Sequence, residues 1–271
     1  MDLSNEADLK RALRLAGLAP HKGLSQNFLV DKAALVKIVK AASLKSNDVV
    51  LEIGPGPGVL TQELIKTAEH VIAVEKDINF YKILTAQKHS NLTVVNEDFK
   101  NYNLTKLPKG YKVVANLPYV ITSYVLQTLL TSINKPKSVT VMVQKEVAER
   151  VCAKAGDMST LALSVQFYGT PTLAGIINRA SFWPSPKVDS AILHIDVENK
   201  YHQFDDKKLF RLVNIGFAAR RKMLKNNLMA GLQLTAEEVD NLLNKSGINL
   251  LIRAQDLSLD NWFKIYTNLY K

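Results

Sequence analysis

Apolar positions between residues 48 and 145 gather into short, nearly unbroken runs separated by stretches of helical spacing. Val49–Ile53, Val71–Glu75, Leu92–Asn96, Val113–Leu117 and Val139–Gln144 read as strands, and their lack of polar alternation predicts burial on both faces, as in a parallel sheet. Val59–Ala68, Ile78–Gln87 and Thr122–Ile133 lie between them with the spacing of helices. Such alternation predicts a doubly wound α/β domain. Leu163–Tyr168, Thr172–Ile177 and Ala191–Val197 follow with little helix between them; they fit further strands, closing the sheet edge as an antiparallel hairpin. Beyond Val197 the pattern changes. Leu209, Leu212, Val213, Gly216 and Phe217, then Leu242 and Leu243, then Trp262, Phe263, Ile265, Tyr266 and Leu269 recur at helical intervals. The expected organisation is a domain over residues 1–200, including an N-terminal arm at 1–47, and a small all-helical domain over 201–271. Within the arm, Leu9, Leu13 and Leu18 suggest a helix followed by a polar loop.

Charge narrows the partners. Across 271 residues, 35 basic and 25 acidic side chains leave a net +10, a balance suited to a polyanion. The excess sits at the ends: +4 over residues 1–45 and +4 over 205–271, against +2 between them. Cys152 is the only cysteine, so no internal disulfide can form. The five histidines are scattered, without metal-ligand spacing, and no metal is expected. No apolar run approaches membrane-spanning length, and Asp2, Glu6 and Asp8 argue against a secretory or organelle leader. A cytoplasmic, monomeric protein is the expectation.

The candidate chemistry begins at Val50-Leu-Glu-Ile-Gly-Pro-Gly-Pro-Gly58, a buried strand running into a glycine turn. Glycines allow a tight turn and close approach of backbone to ligand. Dinucleotide enzymes use G-x-G-x-x-G there, with an acid about 20 residues on for a ribose hydroxyl. Here the spacing is G-x-G-x-G, Val59 stands where the last glycine belongs, and Glu75 supplies the ribose-binding acid. With Glu52 ahead of the turn, the arrangement resembles the methyltransferase version, which holds S-adenosylmethionine and has no pyrophosphate site. Asp98 and Phe99 end the third strand, where an acid can accept from an adenine amine and a ring can cover its face. Asp98 is equally suited to capping a helix.

Asn116-Leu117-Pro118-Tyr119 ends the fourth strand. Adenine's exocyclic amine is a poor nucleophile because its lone pair is delocalised into the ring. Two acceptors beside its N–H bonds, the Asn116 amide oxygen and the backbone carbonyl near Pro118, would draw the nitrogen toward tetrahedral geometry and free that lone pair. Positioning and preorganised electrostatics then suffice without a general base. Tyr119 would stack on a base that must be unpaired or extruded. Phe182, heading Phe182-Trp-Pro-Ser-Pro-Lys-Val-Asp-Ser190, could cover the other face; a core aromatic at a proline-braced corner is the competing reading.

At these residues the chain resembles the KsgA-type ribosomal RNA adenine dimethyltransferases. The resemblance runs nearly end to end, through Gln26-Asn27-Phe28-Leu29, Leu51–Thr61, Glu75-Lys76-Asp77, Asn116–Tyr119, Gln144–Arg150, Phe182–Ala191 and Arg220-Arg-Lys-Met-Leu-Lys-Asn-Asn-Leu228. It departs at Leu24-Ser25 and at Trp183 and Ser185. The resemblance implies a class I methyltransferase domain with a small helical domain, and N6 dimethylation of two adjacent adenosines in a loop near the 3′ end of small-subunit ribosomal RNA. By motif position it implies that Asn27, Leu29, Gly54, Gly56, Glu75, Asp98 and Asn116 contact S-adenosylmethionine. It also implies that Asn116, Leu117, Pro118, Tyr119 and Phe182 hold the adenine. Arg220, Arg221, Lys222 and Lys225 form a basic run expected on one helix, where cations would engage phosphates with little sequence choice; a solvated helix face is the competing reading. The expected partner is small-subunit RNA, in the immature small ribosomal subunit. Two alternatives are an Erm-type enzyme acting on large-subunit RNA and an assembly factor that binds RNA without turnover.

Overall fold

The computed structural model describes residues 1–20 and 26–270. Two compact units divide the chain, one formed by residues 1–148 with 171–197, the other by 149–170 with 198–271. Segment 149–170 thus groups with the C-terminal helices, whereas the sequence pattern places it in the first domain.

The first unit is built on a sheet in the order β4-β3-β2-β5-β6-β9-β7. Its strands are β2 (Val49–Ile53), β3 (His70–Glu75), β4 (Leu92–Asn96), β5 (Lys112–Asn116), β6 (Ser138–Gln144), β7 (Gly169–Ile177) and β9 (Ser190–Val197). The five strands from β4 to β6 run parallel, and β9 joins β6 antiparallel, with Gln144 opposite Ser190. All five parallel strands match the apolar runs to within a residue or two. Val50, Leu51, Val113, Val114, Val139 and Val141 are fully buried, which is what a sheet covered on both faces requires. Helices α2 (Lys32–Ala42), α3 (Thr61–Leu64), α4 (Ile78–Ala86) and α5 (Thr122–Thr131) belong to this unit. Helix α3 is shorter than the expected 59–68 helix; turns complete the segment. Asp31 starts α2 by accepting from the amides of Ala33 and Ala34, and Asp77 starts α4 through Asn79 N–H, satisfying donors that a helix leaves orphaned.

The N-terminal arm is tied to this unit. Helix α1 (Glu6–Leu15) buries Leu9 and Leu13 in its core. A two-residue strand β1 (Phe28–Leu29) then pairs antiparallel with β8 (Phe182–Trp183). Ser181 Oγ donates to Asp31 at 2.7 Å beside that pair. The Leu24-Ser25 departure lies outside the described residues.

In the second unit, Leu163–Tyr168 is not a strand: helix α7 (Thr160–Tyr168) occupies it, N-capped by Ser159, whose hydroxyl accepts from Ala162 N–H. The helix buries Ala162, Leu163, Val165, Phe167 and Tyr168, and a helix buried on most sides shows the same unbroken apolar run as a buried strand. The expected antiparallel hairpin therefore reduces to β7 and β9. The helices after 205 are α8 (Asp206–Gly216), α9 (Leu224–Leu232), α10 (Ala236–Lys245) and α11 (Leu259–Tyr270). An aromatic cluster helps hold them, with Phe204 stacked on Phe263 at 4.2 Å and Phe167 near Tyr201 and Phe210.

Candidate active site

Strands β2 and β5 are neighbours, but β3 and β4 continue from one side and β6 from the other. The chain changes winding direction between them, and in open α/β sheets a crevice opens at the carboxyl ends of the strands at such a point. The glycine turn leaves β2 there and Asn116–Tyr119 leaves β5 there. A cavity of about 230 Å³ fills the crevice.

Its floor is backbone. Gly54, Gly56 and Gly58 have φ of +68°, +57° and +95°, the left-handed region that side chains with a Cβ seldom adopt. A Cβ on Gly56 would stand 3.1 Å from the Phe28 ring, and one on Gly58 would meet Leu84 at 2.6 Å. Glu75 accepts from Gly56 N–H at 2.9 Å through one oxygen and from Asp77 N–H at 2.7 Å through the other. Two backbone donors therefore fix the carboxylate beside the turn, with further acceptor capacity left on each oxygen. Burial nevertheless raises its pKa. Glu52, 1% exposed, accepts from Thr61 Oγ at 2.6 Å; burial first, and the charge of Glu75 in addition, push its pKa up to about 8.

Asp98 lies on the far wall with Phe99. Lys100 N–H donates to it at 3.0 Å and Lys76 Nζ stands 3.4 Å away; those contacts hold its carboxyl below the usual range, the backbone donor contributing most. Asp98 thus orders its own turn as a cap does, while still facing the cavity.

The other wall is Asn116–Tyr119. Asn116 Nδ2 donates to the Asn27 carbonyl at 3.2 Å, which leaves Oδ1 as its acceptor. Pro118 stands 3.7 Å from where a Cβ on Gly54 would lie, so the two motifs, far apart in sequence, come within a side chain's width of each other. Tyr119 OH pairs with the fully buried Ser190 Oγ at 2.7 Å, fixing the ring; Ser190 is a site residue the sequence did not single out, although it closes the Phe182–Ser190 motif. Asn27 and Leu29 also line the cavity.

Two expectations are corrected. Phe182 is 3% exposed and belongs to the hydrophobic core, paired in β8 opposite Leu29; it is not among the lining residues. The core reading of that aromatic is the observed one, because the β1–β8 pair turns it inward. Arg220, Arg221 and Lys222 do not lie on a helix but in the exposed connection between α8 and α9, and Lys225, on α9, is engaged with Asp240 at 2.6 Å. Asn227 explains the break: its buried amide donates to the carbonyls of Gly216 and Ala219 at 2.5 and 3.2 Å, closing the end of α8.

The sequence profile described as ribosomal RNA adenine dimethylase matches residues 18–271. The chain belongs to that family. It is 41% identical over 266 residues to the ribosomal RNA small subunit methyltransferase A of Dehalococcoides mccartyi, covering 96% of this chain and 91% of the relative. The protein of that name from Protochlamydia amoebophila is 35% identical, over 100% of this chain and 98% of its own. Among solved structures, a dimethyladenosine transferase from Plasmodium falciparum superposes with a TM-score of 0.76 at 27% identity, over 89% of this chain and 97% of its own. The 23S rRNA methyltransferase ErmE gives 0.74 at 26% identity, over 90% and 100%. The fold of a ribosomal RNA adenine dimethylase is thus a Rossmann-like sheet accompanied by C-terminal helices. Among the described residues no cluster of His, Cys, Asp and Glu could hold a metal ion, and no helix is long and apolar enough to cross a membrane.

Proposed function

We propose that this chain uses S-adenosylmethionine to dimethylate the N6 amines of two adjacent adenosines in a loop near the 3′ end of small-subunit ribosomal RNA, acting as a monomer on the immature small subunit in the cytoplasm. The observation that carries the reading is the orientation of Asn116. With its Nδ2 bound to Asn27, Oδ1 is the group available to an amine, and Pro118 brings it against the glycine turn. Structural similarity to ErmE is nearly as high as to the dimethyladenosine transferase and does not separate the two RNA subunits. What favours the small subunit is the name shared by relatives that match this chain over almost its whole length.

The residues present fit the donor. Glu75, held by two amides, would accept from ribose hydroxyls, Asp98 from the adenine amine of the cofactor, and Gly54 and Gly56 let backbone approach it; Asn27 and Leu29 complete the wall. Bound there, S-adenosylmethionine supplies an electrophilic methyl group. Asn116 Oδ1 would accept one N–H of the target amine. Pro118 O already accepts from Ile121 N–H at 3.1 Å, and the second acceptor is assigned to the Leu117 carbonyl, which precedes Pro118 on the same wall. Gripped twice before the first methylation, the amine would be held pyramidal with its lone pair exposed, and a proton would be released to solvent as the methyl group replaces it. Tyr119 holds the base, its ring anchored through Ser190. Fixed dipoles of this kind act without reorganisation during the reaction. Arg220, Arg221 and Lys222, exposed on one connection, would bind RNA phosphates.

Primer extension on small-subunit RNA tests the reading, because dimethyladenosine stops reverse transcriptase. Cells lacking this gene should lose a stop near the 3′ end, the native gene should restore it, and Asn116→Ala should not. A stop unaffected by deletion would overturn the assignment.

A further inference from the structure

Outside the mouth of the cavity lies a patch that the chemistry above does not use. Val120 lines the cavity on one side and is 79% exposed. Tyr124, one turn further along at the start of α5, is 40% exposed. An exposed tyrosine is ordinarily free to move, yet this one is fastened. Its OH donates to the Lys100 carbonyl at 3.4 Å, and the Lys100 ammonium stands 5.8 Å from its ring centroid. The ring therefore bridges the two walls of the mouth, from the helix after Asn116–Tyr119 to the loop that carries Asp98 and Phe99. Two cations, Lys76 and Lys100, sit on the same rim. Of the acids there, Asp98 is engaged by Lys76 and by Lys100 N–H, and Glu97 is half-buried.

We propose that Val120, Tyr124 and Lys100 form a docking platform for the nucleotide next to the adenosine in the pocket. This rests on the reading of the pocket as an adenine site. When one base of a single strand is drawn into a cavity, its neighbour is unstacked on that side and its apolar face is left to water. An aromatic ring already fixed at the rim receives that face without the ordering cost of a mobile side chain, and stacking on it tolerates any base. Lys100 supplies charge for the phosphate between the two nucleotides. Because the two target adenosines are adjacent, the platform would hold one while the other reacts.

The test is single-turnover methylation of unmethylated small subunits reconstituted in two forms, one with both adenosines and one with an abasic residue in place of one of them. The native chain should methylate the remaining adenosine about tenfold more slowly in the abasic particle, within the range of base–aromatic stacking. Tyr124→Ala should show a similar loss on the intact particle and no additional loss on the abasic one. Tyr124→Phe, which keeps the flat ring but loses the bond to Lys100, should fall between the native chain and the alanine variant, and Tyr124→Leu, which keeps apolar bulk without a flat ring, should behave as the alanine variant. S-adenosylmethionine affinity should be the same in all of them. Intact-particle rates unaffected by Tyr124→Ala, or an abasic penalty equal in native and variant chains, would overturn the platform and leave the adenine site standing. Absence of transfer by the native chain on either particle would instead overturn the adenine reading.

Discussion

Glu52 shows how a residue legible in sequence acquires its charge state only from the fold. Its place before the glycine turn is read from the motif, but its near-complete burial and its hydrogen bond from Thr61 are not. Folding raises its pKa from 4.5 to about 8, so the folded chain holds a proton that the unfolded chain releases between those values. Stability linked to this group is complete below about pH 4.5 and is lost as pH rises through about 8. Glu52→Gln keeps the shape and removes the titration. Thermal melting followed from pH 5 to 8.5 should show the native chain losing stability more steeply than the variant. Equal slopes would contradict the burial-driven shift. Glu75, raised in the same direction, leaves the variant some residual slope. Other residues were legible for the opposite reason. Asn116 ends a strand and Asp98 follows one by two residues, and positions at the carboxyl ends of strands beside a switch point face the crevice. Phe182 was not, because an aromatic in a proline-rich loop has the same local signature whether it faces a ligand or the core. Only the pairing of Leu29 with Phe182, across some 150 residues of chain, decides it. Lys112 is similar: a lysine at the start of an apolar strand gives no hint that Asp48 and the Ser43 carbonyl await it in the interior.

At the scale of elements, the central parallel strands are readable because burial on both faces writes an apolar run into each; the edge strand β4, no residue of which is buried, keeps the run with a single face to cover. The α7 helix is not readable, since the Ser159 cap that distinguishes it from a strand is a single residue. The basic run lies off the helix because Asn227, which binds the Gly216 carbonyl that ends α8 and the Ala219 carbonyl beyond it, lies seven residues after Arg220. The consequence is functional. A connection fixed by Asn227 presents Arg220, Arg221 and Lys222 away from the helix surface, while Lys225 is spent on Asp240. Alanine at both Arg220 and Arg221 should weaken RNA binding and make the slope of log affinity against log salt shallower by roughly 1.5. Lys225→Ala should change the slope little. An unchanged slope in the double variant would return the connection to plain solvated surface.

For the whole molecule, the governing feature is the change of winding direction between β2 and β5. It places a glycine turn from one strand and an amide from the other at a single crevice, although more than fifty residues separate them. Sequence displays both motifs but not their proximity, which shows in Gly54 and Pro118 lining the same cavity. The pattern marks a boundary near residue 200 but not the earlier excursion, in which the chain enters the second unit at 149, leaves it at 170, and re-enters at 198. Hydrophobic periodicity marks elements and is silent about such returns. The proposed function requires that the crevice take up a methyl donor. Titration calorimetry of S-adenosylmethionine into the purified chain addresses that requirement most directly. One equivalent should bind per chain, and Glu75→Ala should weaken it by roughly tenfold or more, as expected for losing charge-assisted hydrogen bonds. No uptake by the native chain, or uptake indifferent to Glu75, would contradict the account.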